Sequence, residues 1–528
     1  MYNLSIPQVY RQFWENWEEN GQIYKDLYTR GDFSFVPNLL PEQAVRLSAR
    51  ETFNVLRQRL GEKLDLALSY TDPAAGTSQP PPETQGPMHD QPDGSWLKQC
   101  NMVGVNVRTI GSFWNVVKYA LTIPEAQNAI HLLPIWEPGV VGSLYGISSW
   151  QINREFLSPE LAEICPELDT VEKQLKAVVN LLHAMGKAVG MDVIPHTDRF
   201  SEIALANPGY FEWLQREGVE IVDHRADLHT EVQERIMAFL DCQGPAIAGE
   251  ALPPSAERFF SEAYPEEQRC RLLFGLPEDR NGRANRRGHL VRWLHAYGFE
   301  PVPATMAPPF RGIQLDPNTS YVDSHGLVWY DYQISEPRAM SRVFGPLARY
   351  KLYERQDDNA QWAIDFERPQ KAVWRYVCEK YAAVQHRYGF DFMRGDMSHV
   401  QMRPGGVPKT IDPYYDILRA VKLHVQRERG VSHFGYFAET FLAPRDVMVY
   451  GDEVDHLEAS EADTTLGDLQ STAVGSPEFL RRFRWYCDLL ETRSFAPTFT
   501  VITGDKDDPR FDEFYLRGNT LRLFMALF

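Results

Sequence analysis

Apolar positions recur at helical spacing through "IPQVYRQFWENW" and again through "AVRLSARETFNVLRQRLGEKLDLAL", so residues 1–72 read as a helical region. The pattern then stops. Residues 73–96 are rich in Pro, Gly and polar side chains, offer too little apolar surface to order themselves, and read as a linker or long loop. Beyond them short apolar runs alternate with amphipathic ones: "MVGVNV", "AIHLLPIW" and "KAVGMDVIP" predict strands, while "SFWNVVKYAL" and "TVEKQLKAVVNLLHAMG" predict the helices between them. Between residues 199 and 361 this rhythm fails, giving way to Pro-rich loops and hairpin-like pieces such as "SYVDSHGLVWYDYQI". So long a stretch reads as an inserted subdomain. The alternation returns over residues 362–528 with helix "RPQKAVWRYVCEKYAAVQHRYG", strand "FDFMR", helix "YYDILRAVKLHVQRER", strand "FGYFAE", and later "PTFTVIT" followed by "RGNTLRLFMALF". Residues 97–198 and 362–528 together therefore predict an α/β fold of parallel strands covered by helices, split by the insertion after its third strand.

Composition sharpens this. At 528 residues the chain exceeds what one hydrophobic core usually supports, and its 43% hydrophobic and 12% aromatic content suffices for a packed globule. A formal charge of -18 repels phosphate backbones and anionic lipid, which argues against nucleic acid and membrane surfaces and for a neutral ligand. Six cysteines are scattered without metal-ligand spacing, as expected of free thiols in a reducing compartment. The N-terminus shows no basic start followed by an apolar run, and no window approaches the ~20 apolar residues of a membrane span. A cytoplasmic location is the expectation.

A parallel barrel carries its chemistry on the loops that follow its strands, so the polar residues closing each apolar run are the candidates. "MDVIPHTDR" supplies Asp192, His196 and Asp198; "FMRGD" supplies Arg394 and Asp396; "FAET" supplies Glu439; "VITGDKDDPR" supplies Asp505, Asp507 and Asp508. Arg394 and Asp396 are two residues apart and share one face of their strand. The cation favours the ionised carboxylate, and Gly395 leaves no side chain between them. Two carboxylates on neighbouring strand ends can divide glycoside cleavage, one attacking the anomeric carbon and the other protonating the leaving oxygen.

With these residues assembled, the chain resembles glycoside hydrolase family 13, the α-amylase superfamily, over residues 101–528 apart from most of the insertion. That family writes its nucleophile strand roughly as G-F-D-G-F-R-x-D, and Gly389, Phe390, Asp391, Arg394 and Asp396 match without a gap. The resemblance implies a (β/α)8 TIM-type barrel, Asp396 as nucleophile with Arg394 its partner, and Glu439 as acid/base. Aligning Pro509 and Arg510 implies that Asp507 holds sugar hydroxyls, in competition with Asp505 and Asp508. Asp192 in "DVIPHT" becomes the structural aspartate, Tyr145 in "SLYGISSW" a platform beneath the cleaved sugar or a packed aromatic, and Trp150 a residue near the entrance. The departures are specific. His196–Thr197 stands where the family has Asn-His, Asp505–Lys506 stands where it has another Asn-His, and no eighth strand is found after "LRLFMALF". "DVIPHTDRFSEIALANPGYFEWL" resembles the maltosyltransferase branch. The implied function is retaining cleavage of α-1,4-linked glucose oligomers with hydrolysis or transfer; the alternative is a glucan-binding scaffold that has lost turnover. No metal site is read from the residues, although the family's habit admits calcium.

Overall fold

The computed structural model describes residues 35–69, 84–139, 142–218, 220–303, 347–356, 364–398, 405–440, 453–467, 475–493 and 496–499, with short pieces elsewhere. Seven strands form its central sheet: β1 Met102–Val105, β2 Ala129–Leu132, β3 Ala188–Val193, β4 Phe392–Gly395, β5 Gly435–Ala438, β6 Thr464–Gly467 and β7 Ala496–Phe499. Every neighbouring pair is parallel and strands follow one another in chain order. The longer helices are α1 Ala49–Leu60, α2 Lys63–Ser69, α3 Phe113–Ala120, α4 Val171–Ala184, α5 His229–Gln243, α6 Glu266–Phe274, α7 Arg280–Ala296, α8 Lys371–Tyr388, α9 Ile417–Glu428, α10 Glu453–Ala459 and α11 Pro477–Thr492. Helices stand between successive strands throughout, which is the architecture of a (β/α) TIM-type barrel. Among the described residues β1 and β7 are the edges of the sheet. The sequence pattern had pointed to neither β6 nor α11.

The interior of this curled sheet has two halves. Toward the strand N-termini, Ala129, Ala188, Phe392, Phe437 and Leu466 pack with Trp96 and Leu97. Gly190 makes this possible, because a Cβ there would stand 2.2 Å from the Phe392 ring. Trp96 and Leu97 lie on a short 3₁₀ helix, Gly94–Gln99, and the Trp96 indole donates to the carbonyl of His433 at 2.8 Å. Within the stretch read as a linker, Thr84 and Trp96 are buried, at 2% and 9% exposure, while residues 89–93 between them are exposed. Trp96 and the partly buried Met88 pack on the barrel floor.

The N-terminal helices share the barrel's outer core. Leu56, Leu60, Leu64 and Ala67 belong to one cluster with Val117, Leu175 and Val178, and Asn180 of α4 donates to the carbonyl of Ala67 at 2.9 Å. The insertion has a separate core, in which Phe200, Trp213, Ile236, Leu240, Leu273 and Leu294 bring α5, α6 and α7 together. It returns through Leu347–Arg349, which pairs antiparallel with His196–Asp198, so it leaves and re-enters the barrel at one place. Among the described residues no helix is long and apolar enough to cross a membrane, and all six cysteines are free.

Candidate active site

β4 places Arg394 in register with Asp192 of β3 on one side and Phe437 of β5 on the other. Inward-facing positions of three adjacent strands thereby converge on one guanidinium. Arg394 Nη1 donates to Asp192 Oδ1 at 2.6 Å and to Asp396 Oδ1 at 3.2 Å, and Nη2 forms an ion pair with Glu439 Oε1. The Tyr145 hydroxyl accepts from the same Nη1 at 3.4 Å, and its ring lies beside the guanidinium, 5.5 Å from centroid to Cζ. All of this is screened from water: Asp192, Asp396, Arg394 and Glu439 are 2, 3, 5 and 9% exposed. Burial works against the arginine's charge, but Glu439, Tyr145, Asp192 and Asp396 outweigh it and hold its pKa well above the usual value.

The turn after β4 joins the two outer carboxylates. Met397 adopts a positive φ of 49°, uncommon for a residue with a side chain, and its N–H donates to Glu439 Oε2 at 3.0 Å. Ser398 N–H donates to the Glu439 carbonyl at 3.2 Å, and Glu439 N–H to the Gly395 carbonyl at 3.0 Å. Asp396 and Glu439, on neighbouring strand ends, are thus held by one guanidinium and one turn. Gly395 has a different role from the one expected. A Cβ on it would stand 2.6 Å from Tyr436 Cε2 and 2.8 Å from Leu418 Cδ1, so the glycine admits α9 against the outer face of β4 and does not clear space between Arg394 and Asp396, which point inward.

Two histidines complete the cluster. His196 Nε2 is 3.7 Å from Asp396 Oδ2; burial, reinforced by the Arg349 charge, pushes its pKa down to about 3, which keeps the ring neutral. His131 Nε2 lies 3.4 Å from Asp192 Oδ1 on the inward face of β2. Sequence reasoning passed over His131 because "AIHLLPIW" was taken whole as an apolar strand; the signal was a polar residue in a strand otherwise fully apolar.

Comparisons with known proteins come to little. No family model and no curated protein matches the chain. Among solved structures it is similar to trehalose-6-phosphate hydrolase of Bacillus licheniformis, at 12% identity and a TM-score of 0.36, covering 74% of this chain and 54% of that one. It is similar also to isomaltulose synthase of Klebsiella sp. LX3, at 12% identity and 0.36, covering 76% and 57%, and to isomaltulose synthase of Erwinia rhapontici NX5, at 9% and 0.38, covering 76% and 56%. The chain thus spans less than two thirds of each, and likenesses this remote assign no activity.

Of the expected residues, Asp192, Tyr145, His196, Arg394, Asp396 and Glu439 come together. Trp150 stands apart: its indole donates to the Tyr376 hydroxyl at 2.9 Å, and its ring meets Trp136 and Tyr381 edge-on in the wall behind the site. The Tyr381 hydroxyl in turn bonds both the N–H and the carbonyl of Ile194, at 2.9 and 3.0 Å. Asp507, with Asp505 and Asp508, lies outside the described residues. Among the described residues no group of three or more His, Cys, Asp or Glu is placed to hold a metal ion.

Proposed function

We propose that the chain is a retaining α-glucan enzyme of the glycoside hydrolase family 13 kind, acting on α-1,4-linked glucose oligomers in the cytoplasm. One observation carries the reading: a single buried guanidinium bridges Asp396 and Glu439 at the ends of adjacent parallel strands. Asp396 attacks the anomeric carbon as its bond to the glycosidic oxygen breaks, and Glu439 gives that oxygen its proton. The Glu439 carboxylate then takes a proton from water or from an acceptor hydroxyl, whose oxygen attacks the same carbon and releases Asp396. Arg394 pairs with Asp396 and is itself held by Asp192, beside which His131 lies, and the buried neutral His196 offers a hydrogen bond without adding charge. Asp507, by resemblance, holds ring hydroxyls. Resemblance of the segment after β3 to the maltosyltransferase branch supports transfer to a sugar, with the insertion, whose return strand pairs with His196–Asp198, walling the acceptor side. An incoming glucoside must take Glu439 from Arg394 before the carboxyl can serve as proton donor.

That last requirement also supports a second reading, a glucan-binding scaffold without turnover, since Glu439 rests in an ion pair within a nearly closed cluster. Incubating the protein and its Asp396→Asn variant with maltooligosaccharides and resolving product sizes separates the two. Shorter products alone mean hydrolysis, shorter and longer together mean transfer, and loss of both in the variant assigns the nucleophile. Unchanged oligosaccharides with measurable affinity overturn the enzyme reading in favour of the scaffold.

A further inference from the structure

Behind the two carboxylates lies a second buried polar network to which the chemistry above assigns no part. It centres on α10, a helix the sequence pattern did not single out. Glu453 and His456 are three residues apart on that helix and so share a face. Both are closed off from water, at 3% and 1% exposure. Glu453 accepts a hydrogen bond from the hydroxyl of Thr440, the residue after Glu439. His456 Nε2 stands 3.2 Å from the carbonyl of Ser398, two residues after Asp396. One helical turn therefore touches both loops that carry the paired carboxylates.

The Ser398 end is the better anchored. Its hydroxyl donates to the Gly395 carbonyl at 2.8 Å and accepts from Tyr436 at 3.1 Å, and its N–H reaches the Glu439 carbonyl at 3.2 Å. His456 is itself oriented by the Tyr415 hydroxyl, 2.8 Å from Nδ1, with Ser460 Oγ at 3.3 Å and Asp416 Oδ2 at 3.7 Å from Nε2. Asp416 also caps α9, accepting from Leu418 N–H at 2.7 Å. Between these anchors sits Met397, whose unusual backbone aims its N–H at Glu439. A left-handed residue persists only where its surroundings hold it, and here the holding groups are those just named.

We propose that Glu453 and His456 are positioning residues: α10 is a two-point clamp that sets the separation of Asp396 and Glu439 by gripping the turn after each. This rests on the reading of those two carboxylates as nucleophile and acid/base. Neither clamp residue touches substrate. Their contribution is geometric, and a double displacement needs its carboxyls roughly 5 to 5.5 Å apart. Loosening one grip leaves the binding surface in place while spoiling that spacing.

The test uses the full chain with His456→Leu, His456→Gln and Glu453→Gln. Gln at 456 keeps a donor where Nε2 stands, and Gln at 453 keeps an acceptor for Thr440. His456→Leu is expected to lower kcat on maltooligosaccharides roughly 10²-fold with KM within about twofold, while the two Gln variants stay within about tenfold of the parent. Amide hydrogen exchange of the peptide covering residues 393–398 should quicken in His456→Leu and stay near parental in His456→Gln. Equal losses for Leu and Gln, a change in KM in place of kcat, or exchange unaltered in His456→Leu each overturn the clamp. If the parent protein turns over no glucoside, the enzyme reading falls; the exchange measurement still decides whether α10 holds the turn.

Discussion

Two aspartates bracket β4, and their surroundings could hardly differ more. Asp391, before the strand, collects hydrogen bonds from Val189 N–H at 2.8 Å and His183 Nε2 at 2.9 Å, with His433 Nε2 at 3.7 Å. His183 in turn meets the Thr84 carbonyl at 2.9 Å, and Gly86 packs so close that a Cβ would overlap the carboxyl. One acceptor has several donors. Asp396, after the strand, shares a single guanidinium with Asp192, Glu439 and Tyr145, so several acceptors compete for one donor group. The first arrangement gathers donors on one carboxylate, and the second gathers acceptors on one cation. Burial alone would raise the Asp391 pKa, yet the His183 charge and these hydrogen bonds hold it down at about 2. The same motif thus writes a rivet at one end of a strand and the proposed nucleophile at the other, as barrels divide stability from chemistry between their two ends.

Changing each aspartate in turn is the sharpest way to break this contrast. Asp396→Asn should cut turnover by on the order of 10⁴-fold or more while leaving the denaturation midpoint nearly unchanged, because Arg394 keeps Asp192 and Glu439. Equal loss of stability in both aspartate variants would erase the distinction. Next in size is Arg394→Leu, which leaves three buried carboxylates without their cation and should cost about 3–5 kcal/mol in chemical denaturation. Asp391→Asn should cost about 2 kcal/mol near neutral pH, from a pKa lowered from 3.8 to about 2, with kcat and KM near parental. Its sign follows from linkage. The depressed carboxyl stabilises the folded state above about pH 4, and that contribution fades as pH falls toward about 2, so parent and variant should converge in acid. Smallest is Trp150→Phe, which removes one hydrogen bond to Tyr376 and should cost about 1 kcal/mol without altering KM, contrary to a residue at the substrate entrance.

How legible each part was depends on whether its signal is local. β3, β4 and β5 were readable because apolar runs end abruptly in charge, and spacing alone put Arg394 and Asp396 on one face. β6 was not: Thr464–Gly467 is short and half polar, and it belongs to the sheet through pairing with β5 and β7 and a Thr465 hydroxyl that donates to the Ala438 carbonyl at 2.9 Å. His131 and the α10 pair escaped for a related reason, since their partners come from other strands and helices. The packing of Trp150 against Tyr376 was not legible either, because an aromatic beside a predicted site carries no mark of which way it faces.

The floor of the barrel has a consequence for how the molecule assembles. Trp96 meets the carbonyl of His433 across a sequence separation of 337, with the whole insertion in between. A ribosome releases this tryptophan early, but its seat exists only after β5 has been made, so the lower interior stays wet through most of synthesis. Contacts of such long reach form slowly and leave apolar surface uncovered meanwhile. Sealing that floor is a late event, and the growing chain must be kept from aggregating until it happens.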